Sequence, residues 1–264
     1  MIPAEILDHE LANVTESLRA SGAPFASATV IRTLGQTAAK PGAKAVLSAE
    51  GDILHGWVGG GCVRGALGRA ARQALADGTP QLVSLMPEDL LTEKGLVAGD
   101  QADGTKIARN GCPSRGSMDI FVEPILPLPE LVIYGASPVA QALARLAPQF
   151  DWTVTRADPA AALPDIVPGA RRMIVLATQG QGDAPALMAA LAASAEHWSF
   201  VGSRRKFAAL RARFETEGMD PETLDRVNAP AGLAIDAVTP YEIALSILAR
   251  LIQQRRHKAR EVKS

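Results

Sequence analysis

The sequence predicts an α/β protein of two domains. An N-terminal α+β domain covers residues 1–124, and a Rossmann-like, doubly wound parallel-sheet domain covers residues 130–264. Three observations predict this. The chain has 264 residues, more than the roughly 100–200 that one domain usually takes. Pro124, Pro127 and Pro129 form a short rigid linker. Before that linker, apolar runs are joined by turn residues as in hairpins; beyond it, strand patterns alternate with helical ones, the signature of a parallel sheet wound with helices.

Taken in order, Leu7, Leu11, Val14 and Leu18 recur on one face of an opening helix that ends at Gly22. Phe25 to Thr33, Ala43 to Ala49 and Ile53 to Val58 read as strands, the last two joined through Glu50-Gly51-Asp52. The triple glycine Gly59-Gly60-Gly61 then opens an alanine-rich helix that Gly78 closes, and Gln81 to Met86 is a further strand. From Pro87 to Ser117, five glycines break any period, and the stretch reads as a long irregular segment of the kind that is usually functional. Met118 to Glu123 is the last strand before the linker. The second domain then reads as strands at Leu131 to Tyr134, Thr153 to Arg156, Met173 to Ala177 and Ser199 to Val201. Its helices are expected at Val139 to Ala147, Ala184 to Ala195, Lys206 to Glu217 and Pro240 to Gln254, followed by a basic tail from Arg255 to Lys263.

Composition excludes several classes. Charges nearly cancel, with 27 basic and 28 acidic residues, so no global field favours nucleic acid. There are 47 alanines and only 11 aromatics, so the core must be built from small side chains with closely packed helices. The longest uncharged apolar stretch, Leu131 to Ala144, is too short and too broken to span a membrane. The N-terminus carries no signal-peptide pattern, and the two cysteines, Cys62 and Cys112, cannot form a disulfide scaffold. A cytoplasmic location with both thiols reduced is expected.

Chemistry concentrates at the glycines. Gly59, Gly60 and Gly61 leave a strand and Cys62 stands where a helix begins, a position that favours bound anions and lowers a cysteine pKa. Cys62 could attack, carry sulfur or bind a soft metal; the alternative is a buried cysteine in a glycine-rich turn. Asn110-Gly111-Cys112-Pro113-Ser114-Arg115-Gly116 offers a second thiol in a turn. Two thiolates sharing a cavity would suit Cu(I), molybdenum or transferred sulfur, making Cys62 and Cys112 candidate metal ligands. The pair is 50 residues apart, and sequence alone does not bring it together.

In the second domain, Gly135, Ser137 and Asp158 stand where a dinucleotide fold has its glycine turn and its ribose-binding acid. Ser137 replaces the second glycine, which argues against NAD(P). Gly202, Ser203, Arg204 and Arg205 follow a strand and open a helix, a second anion-binding context. The four histidines show no metal-ligand spacing.

Arg32-Thr33-x-Gly35, Lys40-Pro41-Gly42-Ala43-Lys44 and Gly60-Gly61-Cys62-Val63 occur in that order. Together they resemble the first domain of the XdhC/CoxI family, accessory proteins in the maturation of molybdenum hydroxylases such as xanthine dehydrogenase and carbon monoxide dehydrogenase. Gly202 to Lys206, Ala229-Pro230-x-Gly232-Leu233 and Thr239-Pro240-x-Glu242-Ile243-Ala244-x-Ser246-Ile247 are similar to that family's Rossmann-like C-terminal domain. The resemblance implies a cofactor-binding N-terminal domain for molybdopterin or molybdopterin cytosine dinucleotide, with Lys40 and Lys44 neutralising its phosphate and Cys62 facing metal or sulfur. It also implies a molybdenum hydroxylase apoenzyme and a cysteine desulfurase or other maturation factor as partners, and no enzymatic activity. Arg64, Gln36-Thr37, Cys112-Pro113-Ser114, Ala234 and Asp236 depart from the family pattern and suggest a divergent branch serving carbon monoxide dehydrogenase.

Three functions therefore stand side by side: a molybdenum-cofactor chaperone supporting sulfuration, a Cu(I) or persulfide carrier, and an NAD(P)-dependent oxidoreductase. The alanine-rich helices are compatible with a homo-oligomer.

Overall fold

A computed structural model describes residues 9–112, 115–167 and 169–261; of the side chains of Cys62 and of residues 257–261 nothing is described. Leu7 of the opening helix and Pro113 and Ser114 of the second cysteine turn lie outside the described residues. The chain divides into two compact units, Met1–Pro127 and Leu128–Ser264.

The first unit begins with α1 (His9–Ser21) and β1 (Phe25–Leu34); α1 packs against β2 (Lys44–Leu47) and β3 (Ile53–Gly56). Helix α2 (Gly61–Asp77) follows and stops at Gly78, whose left-handed backbone ends the helix as the sequence indicates. Then come β4 (Gln81–Met86), α3 (Glu88–Glu93), β5 (Gln101–Ala102), β6 (Thr105–Arg109) and β7 (Ser117–Ile125). They form one seven-stranded mixed sheet in the order β3-β2-β1-β7-β4-β6-β5. α2 lies on one face, over a cluster of Ala28, Val30, Leu67, Ala71, Leu85 and Ile120 that contains no aromatic residue. The core is thus built from small side chains, as the composition requires.

The segment from Pro87 to Ser117, expected to be irregular, instead supplies α3, β5 and β6. β6 adds to the sheet in parallel with β4, pairing Leu82 with Thr105 and Met86 with Arg109. Its elements are too short for a period to show, and Gly95, Gly99, Asp103 and Gly104, all with positive φ, separate them. Pro124 belongs to β7 rather than to the linker. β4 begins opposite Val122, so past that residue β7 pairs with β1 alone and a residue without an N–H is tolerated at this edge.

In the second unit, β8 (Glu130–Tyr134), α4 (Pro138–Leu146), β9 (Thr153–Ala157), β10 (Arg172–Leu176), α5 (Asp183–Ala192), β11 (His197–Phe200) and α6 (Arg204–Thr216) alternate as expected. α7 (Pro221–Asp225) and β12 (Val227–Asn228) had no sequence signal, and α8 (Pro240–Glu261) continues through most of the expected basic tail. The five strands are all parallel, in the order β12-β11-β10-β8-β9. Alternation along the strands serves two cores: Leu131, Ile133, Met173 and Val175 meet α4 and α8, while Val132, Tyr134, Ile174 and Leu176 meet α5 and α6. This is a Rossmann-like doubly wound domain. At the start of the sheet, Arg172 Nε donates to Glu130 at 2.6 Å, and Thr155 Oγ donates to the other oxygen of that carboxylate at 2.6 Å, tying β8, β9 and β10 together.

Gly135 leaves β8 with φ +108°, and a Cβ there would lie 2.5 Å from the Ala177 carbonyl oxygen and 2.8 Å from Thr178 Cα. Both contacts are with backbone. Gly135→Ala is therefore expected to destabilise the protein by about 2–4 kcal/mol, measured as a lower urea midpoint.

His197 is 6% exposed and lies 2.8 Å from Ser199 Oγ. Burial, helped by the charge of Arg250, lowers its pKa from 6.5 to about 4. Between these values the unfolded chain binds a proton that the folded one does not, so stability falls as the pH drops through that window. The loss is on the order of 3 kcal/mol when complete near pH 4. Urea unfolding at about pH 7 and pH 4.5 should show it, with a flatter pH dependence for His197→Gln.

Candidate functional site

β7 runs antiparallel to both β1 and β4, and β6 runs parallel to β4. β3 is antiparallel to β2, which is antiparallel to β1. The carboxyl ends of β1, β3, β4 and β6 therefore lie at one edge of the sheet. Their loops carry Lys40, the triple glycine before Cys62, the Pro87 turn and the Cys112 turn. Contacts bind the loops to one another. Gln36 forms a backbone bridge with Arg115, Gly116 packs against Gln36 and Thr37, and a Cβ on Gly59 would meet Val63 at 2.8 Å and Met118 at 3.9 Å.

The triple glycine differs from the other helix starts. Gly60 caps α2 with no side-chain hydrogen bond, the first turn holds no acidic residue, and space above Gly60 and Gly61 is open within 4 Å. Lys40 and Lys44 are exposed in the neighbouring loop and strand. An open helix N-terminus with cations beside it fits the phosphate of an anionic cofactor. Cys62 stands in the first turn of α2.

The Cys112 turn is held from below. Asn110 is 7% exposed; its Nδ2 donates to the Gly116 carbonyl at 2.6 Å and its Oδ1 accepts from the Cys112 N–H at 3.1 Å. Cys112 is exposed on a hollow of about 370 Å³ whose charges are Glu88, Asp89, Arg109 and Arg115. They balance: Arg109 lies 3.4 Å from Glu88 and Arg115 3.8 Å from Asp89. Lys40, Lys44 and Arg64 in the first turn of α2 are cations of this edge that lack such a carboxylate partner among the described residues. Among the same residues, no group of three or more His, Cys, Asp and Glu side chains is arranged to hold a metal ion.

A further cluster on the sheet carries no sequence signal. Ser84 Oγ donates to Asp119 Oδ1 at 2.6 Å, and Arg32 Nε donates to Oδ2 at 2.7 Å. Asp119 alternates with Met118 and Ile120, so this cluster lies on the face opposite α2.

In the second unit, Gly135, Ser137 and Asp158 come together in a cleft of about 550 Å³ between the carboxyl ends of β8 and β10, the point where the winding of the sheet reverses. Ser137 is 9% exposed, and its Oγ accepts from the Ala140 N–H at 3.1 Å, so a side chain already caps α4. Asp158 Oδ1 accepts from the Ala160 N–H at 2.9 Å. Gly202 and Arg204 line a different cleft, beside β12 and α8, while Ser203 Oγ caps α6 by accepting from the Lys206 N–H at 3.2 Å. Arg205 is exposed. Lys206 lies 2.7 Å from Asp183, which also accepts from Thr178, so this cation of the helix start is neutralised within the fold. Burial pushes the Asp183 pKa up, but hydrogen bonds from Lys206, Thr178 and the Gly180 backbone, with the Lys206 charge, outweigh it and lower the pKa. No helix among the described residues is long and apolar enough to cross a membrane.

Residues 18–86 match the model of the XdhC and CoxI family, and residues 131–251 match that of the XdhC Rossmann domain. The chain is 27% identical over 258 residues to the uncharacterized protein YqeB of Escherichia coli (strain K12), an alignment covering 89% of this chain and 44% of YqeB. It thus spans less than half the length of that relative. A solved structure described as a xanthine dehydrogenase from Bacillus halodurans is 21% identical, covering 93% of this chain and 95% of that one, with a TM-score of 0.38. With the family's first domain matched in one unit and its Rossmann domain in the other, the chain belongs to the XdhC and CoxI family.

Proposed function

We propose that the chain is a non-catalytic maturation factor that binds the molybdenum cofactor, shelters it during sulfuration and passes it to a molybdenum hydroxylase of the xanthine dehydrogenase or carbon monoxide dehydrogenase type. The observation that carries this reading, beside family membership, is that one edge of the sheet carries the uncapped N-terminus of α2, Lys40, Lys44 and both cysteine turns.

In this reading the backbone at Gly60 and Gly61 receives the phosphate of the cofactor, and the two lysines balance its charge. Cys62, in the first turn of α2, and Cys112 supply the thiolates for the metal or an incoming sulfur, the Cys112 turn being kept in place by Asn110. When bound, the cofactor supplies the molybdenum–dithiolene chemistry; the protein positions it and keeps water from it. A second reading, a Cu(I) or persulfide carrier, rests on the two cysteine turns at the same sheet edge and involves no pterin.

Purification of the chain with its client from molybdenum-replete cells distinguishes the two. Pterin recovered with the protein is expected. Gly60→Glu, which places a carboxylate at the helix N-terminus, should reduce that pterin about tenfold, equivalent to about 1.4 kcal/mol. Cys62→Ser should retain pterin but weaken activation of the client. Stoichiometric copper without pterin would favour the second reading, and full activation by both variants would remove this edge from the mechanism.

A further inference from the structure

The cleft beside β12 and α8 lies within the second unit and shares no lining residue with the switch-point cleft between β8 and β10. Its volume is about 590 Å³, within the range of small-molecule sites. Two sequence segments build it. One is Gly202 with Arg204, directly after β11. The other runs from Asn228 through Ala237 and returns along α8 at Ile243, Ile247 and Arg250. The two segments meet where chain leaves the carboxyl ends of β11 and β12, the side on which wound parallel sheets bind their ligands.

The walls are fixed before any ligand arrives. The Leu233 N–H donates to the Ser246 carbonyl at 3.2 Å, and a Cβ on Gly232 would collide with the Ser246 side chain, so the loop lies directly on α8. Leu233, Ile243 and Ile247 make one wall apolar. The charge in the cleft is mainly cationic: Arg204 and Arg250 against one carboxylate, Asp236. Arg204 has no ion-pair partner among the described residues. Arg250 Nε is buried without a hydrogen-bond partner, while its Nη1 reaches only Gln253, at 3.5 Å. A buried guanidinium N–H with nothing to donate to is a vacancy for an acceptor, and guanidinium groups match phosphate oxygens in geometry and charge.

We propose that this cleft binds a nucleoside phosphate, with its phosphate on Arg250, Arg204 adding a second guanidinium, and its base against Leu233, Ile243 and Ile247. The site stands independently of cofactor binding by the first unit.

Isothermal titration of the full chain with AMP, CMP and inorganic pyrophosphate tests it. Binding of at least one nucleotide is expected, with pyrophosphate weaker. Arg250→Gln and Arg204→Gln should each weaken nucleotide binding about tenfold, while Asp158→Ala, in the switch-point cleft, should leave it unchanged. Circular dichroism and urea midpoints establish that each variant is folded. No binding of either nucleotide at millimolar concentration would overturn the proposal. So would binding that survives both arginine substitutions or is lost in Asp158→Ala. Pyrophosphate binding as tightly as the nucleotides would overturn the assignment of a nucleoside.

Discussion

The direction of β7 governs the first unit. It lies between β1 and β4 and is antiparallel to both, which forces β1, β3, β4 and β6 to end at the same edge of the sheet. Were β7 parallel to one of these neighbours and antiparallel to the other, the turns would be divided between opposite ends. Backbone hydrogen bonds along β1 and β4 hold the direction, and Asp119 adds a side-chain tie to Ser84 and Arg32 on those two strands. The face under α2 is packed with small aliphatic residues, so the ladder of the sheet and this core reinforce one register.

Helix termini sort the anion-binding candidates. α2, α4 and α6 each begin after a strand and a glycine-containing turn, so they look alike in sequence. In α4 and α6, a serine hydroxyl accepts an N–H of the first turn; in α2, no side chain does. A capped terminus offers fewer free donors to a phosphate. Lys206 is likewise engaged by Asp183, so the three cations after Gly202 do not act as one cluster. These local satisfactions separate an open terminus in the first unit from two closed ones in the second. They also leave Arg204 and Arg250 as the guanidinium groups of the cleft beside β12 and α8.

Much of the fold was legible. The hairpin at Gly51, the helix from the triple glycine to Gly78, and the alternation of strands and helices after residue 130 follow from signals within a few residues of one another. The misreadings share a cause. β5, β6, α7 and β12 are two to five residues long, too brief to show a period, and gain their structure from neighbours already in place. Pro124 signalled a linker, yet it is accommodated because β4 does not extend alongside it. Of the candidate site, the glycines, lysines and both cysteine turns were visible as motifs. Asn110 was visible only as a turn residue, and Asp119 and Arg250 carried no signal.

By itself, then, the sequence determined the two-domain α/β class, most elements and the residue types able to bind an anion, because hydrophobic period, turn chemistry and capping act over one or two turns of chain. Only the tertiary structure decided which of those residues meet. Arg32 reaches Asp119 across 87 positions, and Gln36 bridges to Arg115 across 79. Such meetings depend on strand order and direction, which long-range pairing and packing set. The fate of Ser137 and Lys206 was also decided there, because a hydroxyl or an ammonium is free for a ligand only if the folded chain has not already engaged it.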